Sequence, residues 1–193
     1  TPLTFFQPEV WNAFVKPGEV IEARFIKISG RYTESGYFDD HAAFCEAVQH
    51  ANKKQHSGAY FTLQVIDQRL IGRSFNRIKQ SDLTTSDKDV RFYRWLPIDL
   101  DPVRPAGVSS SDAELSAALD LREIVAGYVV NEMKFTPPIK AMSGNGGHLL
   151  FRLPNLPAND ENKKMVKNIL TGLAKQFDTP EVKIDTSVFN PAR

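Results

Sequence analysis

The chain has 193 residues, 41% hydrophobic and 24% charged, with a formal net charge of +1 and 13 phenylalanines. That composition excludes a disordered segment and a polycation, and the length allows one domain with a substantial core or two small lobes. A single cysteine, Cys45, excludes an internal disulfide. With no signal peptide, long apolar run or polybasic tail, a soluble cytoplasmic protein without membrane contact is expected.

In chain order, Glu19 to Ile28 is rich in branched and aromatic residues and reads as a strand, followed by a turn region from Gly30 to Gly36. A helix is expected from about Asp39 to Lys53, with Cys45 a small core residue beside Phe44, Val48 and Ala51. Ala59 to Ile66 reads as a second strand. Arg69, Arg73 and Arg77 then recur at every fourth position, which on a helix would stack them along one face. Such a stripe is either a solvated surface or a grip on a phosphate backbone.

Ser81 to Asp89 reads as a loop, Val90 to Asp101 as a strand, and Pro102 to Ser110 as a second loop. Ser111 and Glu114 form a capping box that opens a helix burying Leu115, Ala118, Leu121, Val125 and Tyr128 and ending near Met133. Two short strands, Ile139 to Ser143 and His148 to Leu153, are joined by the hairpin Gly144-Asn145-Gly146-Gly147. A last helix, Asp160 to Phe177, and a strand, Val182 to Val188, complete a pattern that fits α/β or α+β better than a purely parallel sheet. The chain starts with Thr and stops at Asn190-Pro191-Ala192-Arg193, as expected of a fragment of something longer.

Three local features carry chemistry. In Leu96-Pro97-Ile98-Asp99-Leu100-Asp101, alternation sends the leucines and Ile98 into a core and both carboxylates out of the opposite face. Adjacent carboxylates repel unless a cation lies between them, so the pair points to a hard metal such as Mg²⁺ or Mn²⁺; the bland alternative is an Asp-rich strand exit. The turn Ser143 to His148 offers a hydroxyl, an amide, backbone N–H groups and an imidazole, which suit a triphosphate. It equally fits a hairpin using Asn-Gly for geometry alone. Asp185, flanked by Lys183 and Ser187 in its alternation, is either a third metal ligand or an exposed strand residue. Three Asp could hold two divalent cations about 4 Å apart, the arrangement of in-line displacement in polymerases.

Taken in this order, Asp99-x-Asp101, Ser143-Gly-Asn-Gly-Gly-His148 and the strand residue Asp185 resemble the three motifs of the archaeo-eukaryotic primase superfamily. The surrounding runs Gly36-Tyr37-Phe38-Asp39-Asp40, Tyr60-Phe61-Thr62-Leu63, Thr84-Thr85-Ser86-Asp87, Asp101 to Ser109 and Asp185 to Arg193 are similar to primase-polymerases of phages, plasmids and CRISPR-associated loci. The likeness runs from about Val20 to the end.

This resemblance implies a two-lobed catalytic core, with an N-terminal lobe over about 1–90 and an RRM-like mixed sheet over about 91–193 carrying the active site. It implies a DNA primase and DNA polymerase in a bacterial, archaeal or phage-infected cell, acting on a DNA template and primer with dNTP or NTP and two divalent cations. Asp99, Asp101 and Asp185 would bind the metals; Ser143, Gly144, Asn145 and His148, with Arg104 and Arg193, would hold the triphosphate. Arg69, Arg73, Asn76 and Arg77 would touch nucleic acid. A fused or associated helicase or CRISPR adaptation protein is the implied partner. Two other readings of the same residues are a metal-dependent nuclease or phosphodiesterase and a non-catalytic nucleic-acid binding replication module.

Overall fold

In the computed structural model, which describes residues 7–27, 33–54, 56–105 and 107–192, the chain is a mixed α/β protein with two sheets. It divides into two units, one running to Phe92 and taking in Ala192, the other spanning Tyr93–Pro191.

The first unit comprises α1 (Pro8–Phe14), β1 (Ile21–Lys27), β2 (Thr33–Phe38), α2 (His41–Asn52), β3 (His56–Phe61), β4 (Val65–Ile66) and β5 (Lys79–Ser81). Its antiparallel sheet runs β3-β1-β2-β5. Asp40 starts α2 by accepting the Ala43 N–H at 2.8 Å, which turns Phe44 onto Phe38 edge to face. Ile21, Ala23 and Phe25 complete that core, and Cys45 packs half-buried at its margin, its thiol pKa raised by burial.

Three expectations fail here for physical reasons. Thr33–Phe38 is a strand, not a turn: its Thr-Glu-Ser-Gly start has no apolar alternation, yet the backbone pairs on both edges, with β1 and β5. The start of the expected turn, Gly30, lies outside the described residues. The expected strand from Ala59 to Ile66 divides at Thr62, whose N–H and Oγ1 close onto the backbone of Glu22 at 3.0 Å each. The arginine stripe is not helical. Asp67 caps only a 3-10 turn, Gln68–Arg73; Ser74 is extended and Asn76 takes a left-handed φ of 46°. Arg69, Arg73 and Arg77 therefore do not stack on one helix face.

In the second unit, β6 (Val90–Pro102) is followed by α3 (Asp112–Asn131), β7 (Ile139–Met142), β8 (Gly147–Pro157), α4 (Asp160–Phe177) and β9 (Val182–Ile184). β6 begins within the first unit, where Val90 and Phe92 pair with Ile66 and Val65 of β4. From Tyr93 onward the strand order is β7-β8-β6-β9, so β-α-β-β-α-β elements interleave as in a split β-α-β arrangement. Leu96, Ile98 and Leu100 are at most 1% exposed and pack with Ala118, Val125 and Val129 of α3 and Val166 and Leu170 of α4. The Ser111–Glu114 capping box is formed, and acceptance of the Ser111 N–H holds the Glu114 carboxyl below its ordinary pKa.

The expected strand from Val182 to Val188 stops at Ile184, because Asp185 takes the Ser187 N–H and caps a 3-10 turn, Thr186–Phe189. Among the described residues no helix is long and apolar enough to cross a membrane.

Candidate active site

The centre of the site is the ladder between β6 and β9. Leu100 faces Ile184 and Asp101 faces Lys183, and one step further the Asp185 N–H donates to the Asp99 carbonyl at 2.8 Å. Residues directly opposite in an antiparallel pair project to the same side, as do i and i+2 along a strand. Asp99, Asp101, Asp185 and Lys183 therefore share one face, opposite the buried Ile98, Leu100, Val182 and Ile184. All three carboxylates are half-buried.

The turn between β7 and β8 abuts this face. A Cβ on Gly146 would lie 2.4 Å from the Leu100 carbonyl oxygen and 2.7 Å from Asp101 Oδ1, so only glycine lets the turn come this close. Gly144, at φ 91°, supplies the left-handed step. His148, the second residue of β8, has Nε2 3.2 Å from Asp99 Oδ1. The strands and the turn thus set Asp185 beside Asp99 along the ladder, Gly146 against Asp101 and His148 against Asp99.

The turn is more self-contained than its sequence implies. The N–H groups of Asn145 and Gly146 both donate to Ser143 Oγ, at 3.3 and 3.1 Å, rather than facing outward. Asn145 Oδ1 and its carbonyl accept from Ser110, at 3.0 and 2.7 Å, which moors the turn to the loop after β6. Arg104, on that loop, donates to the Val108 carbonyl at 2.5 Å. Asp185 is likewise engaged, accepting from Ser187 N and Oγ at 2.7 and 2.9 Å. Among the described residues, no three carboxylate, imidazole or thiol side chains stand as a ready-made metal cluster. The donor set is nonetheless one of hard oxygens, and a carboxylate has about four lone-pair sites, of which Ser187 takes two at Asp185.

Two residues gain weight from the structure. Lys183 stands in the sequence only as a polar neighbour of Asp185, and the register sets it across from Asp101. Arg122 of α3 supports the hairpin from beneath, donating to the Ala141 carbonyl at 3.0 Å and lying 3.1 Å from the Cβ position of Gly147. An arginine among the apolar positions of α3 was its one sequence signal.

The arginines of the first unit have separate fates. Arg69 is engaged bidentately by Asp67, which holds that carboxyl well below the ordinary range. Arg73 donates to Tyr37 Oη and the Thr84 carbonyl and lies 3.6 Å from Asp89. Asn76 ties its loop to Asp39. Arg77 is exposed, and Arg193 lies outside the described residues. No family model matches the chain, and neither curated proteins nor solved structures give a match.

Proposed function

We propose that the chain is a template-directed nucleotidyltransferase, a DNA primase and DNA polymerase of the archaeo-eukaryotic primase type, with the second unit as its RRM-like catalytic sheet. The observation that carries this reading is the ladder that sets Asp185 against Asp99, with Asp101 on the same face and the glycine turn pressed against it. A surface with three acids and an adjoining turn bearing a hydroxyl and an imidazole suits a nucleoside triphosphate better than a bare phosphodiester.

In this role Asp99, Asp101 and Asp185 would hold the divalent cations, and their all-oxygen donor set fits Mg²⁺ or Mn²⁺. When bound, such ions acidify an attacking 3′-hydroxyl and neutralise the departing pyrophosphate. His148 keeps Nε2 3.2 Å from Asp99 Oδ1, and its other ring nitrogen, Nδ1, would face a phosphate oxygen, donating to it as an imidazolium. Ser143 keeps the turn in shape by accepting two of its N–H groups. Lys183 adds a positive charge beside the acids, with Asp178 3.5 Å from its amine.

Extension of a primed template with dNTP and Mn²⁺ tests the proposal. Wild type extends the primer and Asp101→Ala does not. Equal extension by both, or nucleotide-independent degradation of the DNA, would overturn it, the latter in favour of a metal-dependent nuclease.

A further inference from the structure

A groove of about 570 Å³ lies in the first unit, between the C-terminal half of α2 and the loop before β5. Its lining includes His50, Lys53, Lys54, Asn76 and Arg77, with Glu46 the one carboxylate among its described lining residues. Lys54 reaches Glu34 at 3.1 Å. Among the described residues, neither the Lys53 amine nor the Arg77 guanidinium has an ion-pair partner, in contrast to Arg69 and Arg73.

The loop that carries Arg77 is clamped. Tyr37 donates to the Ser74 carbonyl at 3.1 Å and accepts from the Asn76 N–H at 2.9 Å, which grips the backbone on both sides of Phe75. Ser74 Oγ donates to the Arg77 carbonyl at 2.7 Å, and Asn76 Nδ2 to Asp39 Oδ1 at 2.8 Å. Beneath it, a Cβ on Gly36 would meet the Arg77 carbonyl oxygen at 2.2 Å. On this rigid loop Phe75 is 62% exposed. Phe75 stands outside the groove lining, two positions before Arg77 on the same loop, and an exposed ring together with unpaired cations is how single strands are held, by base stacking and phosphate contacts.

We infer that this groove binds a single-stranded nucleic acid, with Arg77 and Lys53 on backbone phosphates and Phe75 stacked on a base. The inference deepens the proposed function, on which its reading as the template strand rests, and removes Arg69 and Arg73 from the contact.

The test is fluorescence anisotropy with a labelled oligodeoxythymidylate in EDTA, across a range of salt concentrations. Lys53→Ala/Arg77→Ala is expected to weaken binding and lower the salt slope by about 1.4, since each single-strand phosphate contact contributes about 0.7. Phe75→Ala is expected to weaken binding roughly tenfold with the slope unchanged. Lys175→Ala, exposed on α4 and outside the groove, is expected to match wild type, and thermal melts confirm that all variants fold.

Wild-type binding unaffected by the groove substitutions, or no binding by wild type, would overturn the inference. Primer extension by wild type separates it from the catalytic reading. Extension without any groove effect removes the groove alone, and groove-dependent binding without extension removes the polymerase alone.

Discussion

Asp185 and Asp99 are joined backbone to backbone, N–H to carbonyl at 2.8 Å, so residues 86 positions apart project from one face of the sheet. Asp185 is then held by Ser187 through two hydrogen bonds. Ser187→Ala should leave the fold intact and lower kcat for primer extension by about 10- to 100-fold, the usual cost of losing a partner that orients a ligand. Asp185→Ala should fall further. A matched drop in nucleotide affinity for Ser187→Ala would indicate that Ser187 binds substrate instead.

Gly146→Ala forces a methyl to within 2.4 Å of the Leu100 carbonyl oxygen, a backbone atom that cannot step aside alone. The turn must move away from Asp101. A stability loss of about 1–3 kcal/mol is expected in urea unfolding, with a larger fractional loss of extension than of stability. Gly144→Ala, where nothing lies within 4 Å but φ is 91°, should cost stability through backbone strain.

These features differ in how far they could be read from residues alone. The β6 alternation and the capping box at Ser111 are local and form where expected, and the hairpin forms with its turn one residue earlier, Gly147 already pairing with Met142 and β8 running on to Pro157 rather than Leu153. The arginine spacing also looked helical, but Asp67 captures the Arg69 side chain and the left-handed Asn76 ends any helical path, which periodicity does not register. Strand β2 was hidden because its stability comes from pairing on both edges rather than from apolar side chains. For the site, alternation grouped Asp99 with Asp101; Asp185 joins them through a register that no local pattern encodes.

Glu22 was equally invisible, a carboxylate in a strand that lies fully buried. It accepts from Ser35 Oγ at 2.5 Å, Arg24 Nε at 2.8 Å and Thr85 N at 3.0 Å, tying the sheet of the first unit to the loop before β6. Glu22→Ala leaves these donors without their acceptor. A loss of about 3–5 kcal/mol is expected by denaturant titration, and near-wild-type stability would show that the network is dispensable.

Asp89 provides the pH dependence. Burial resists its ionisation, but hydrogen bonds from Ser86 N at 2.9 Å and Ser86 Oγ at 2.7 Å, with Arg73 nearby, outweigh burial and lower its pKa. Because the folded value lies below the unfolded one, the stabilisation is fully present above the ordinary carboxylate pKa of about 3.9 and is lost as pH falls from there through the lower folded value. Asp89→Asn should therefore be less stable than wild type at neutral pH, by about 1 kcal/mol. The difference should shrink in urea titrations at successively lower pH; a gap that widens in acid would contradict the assignment.

In the proposed function Asp99, Asp101 and Asp185 hold metal beside a triphosphate seated on the Ser143–His148 turn. Anomalous diffraction from crystals soaked with Mn²⁺ and a nonhydrolysable dNTP measures this directly. The proposed site predicts manganese peaks within coordination distance of all three carboxylates and phosphate density at His148. Manganese bound elsewhere, or nucleotide bound away from the turn, would contradict it.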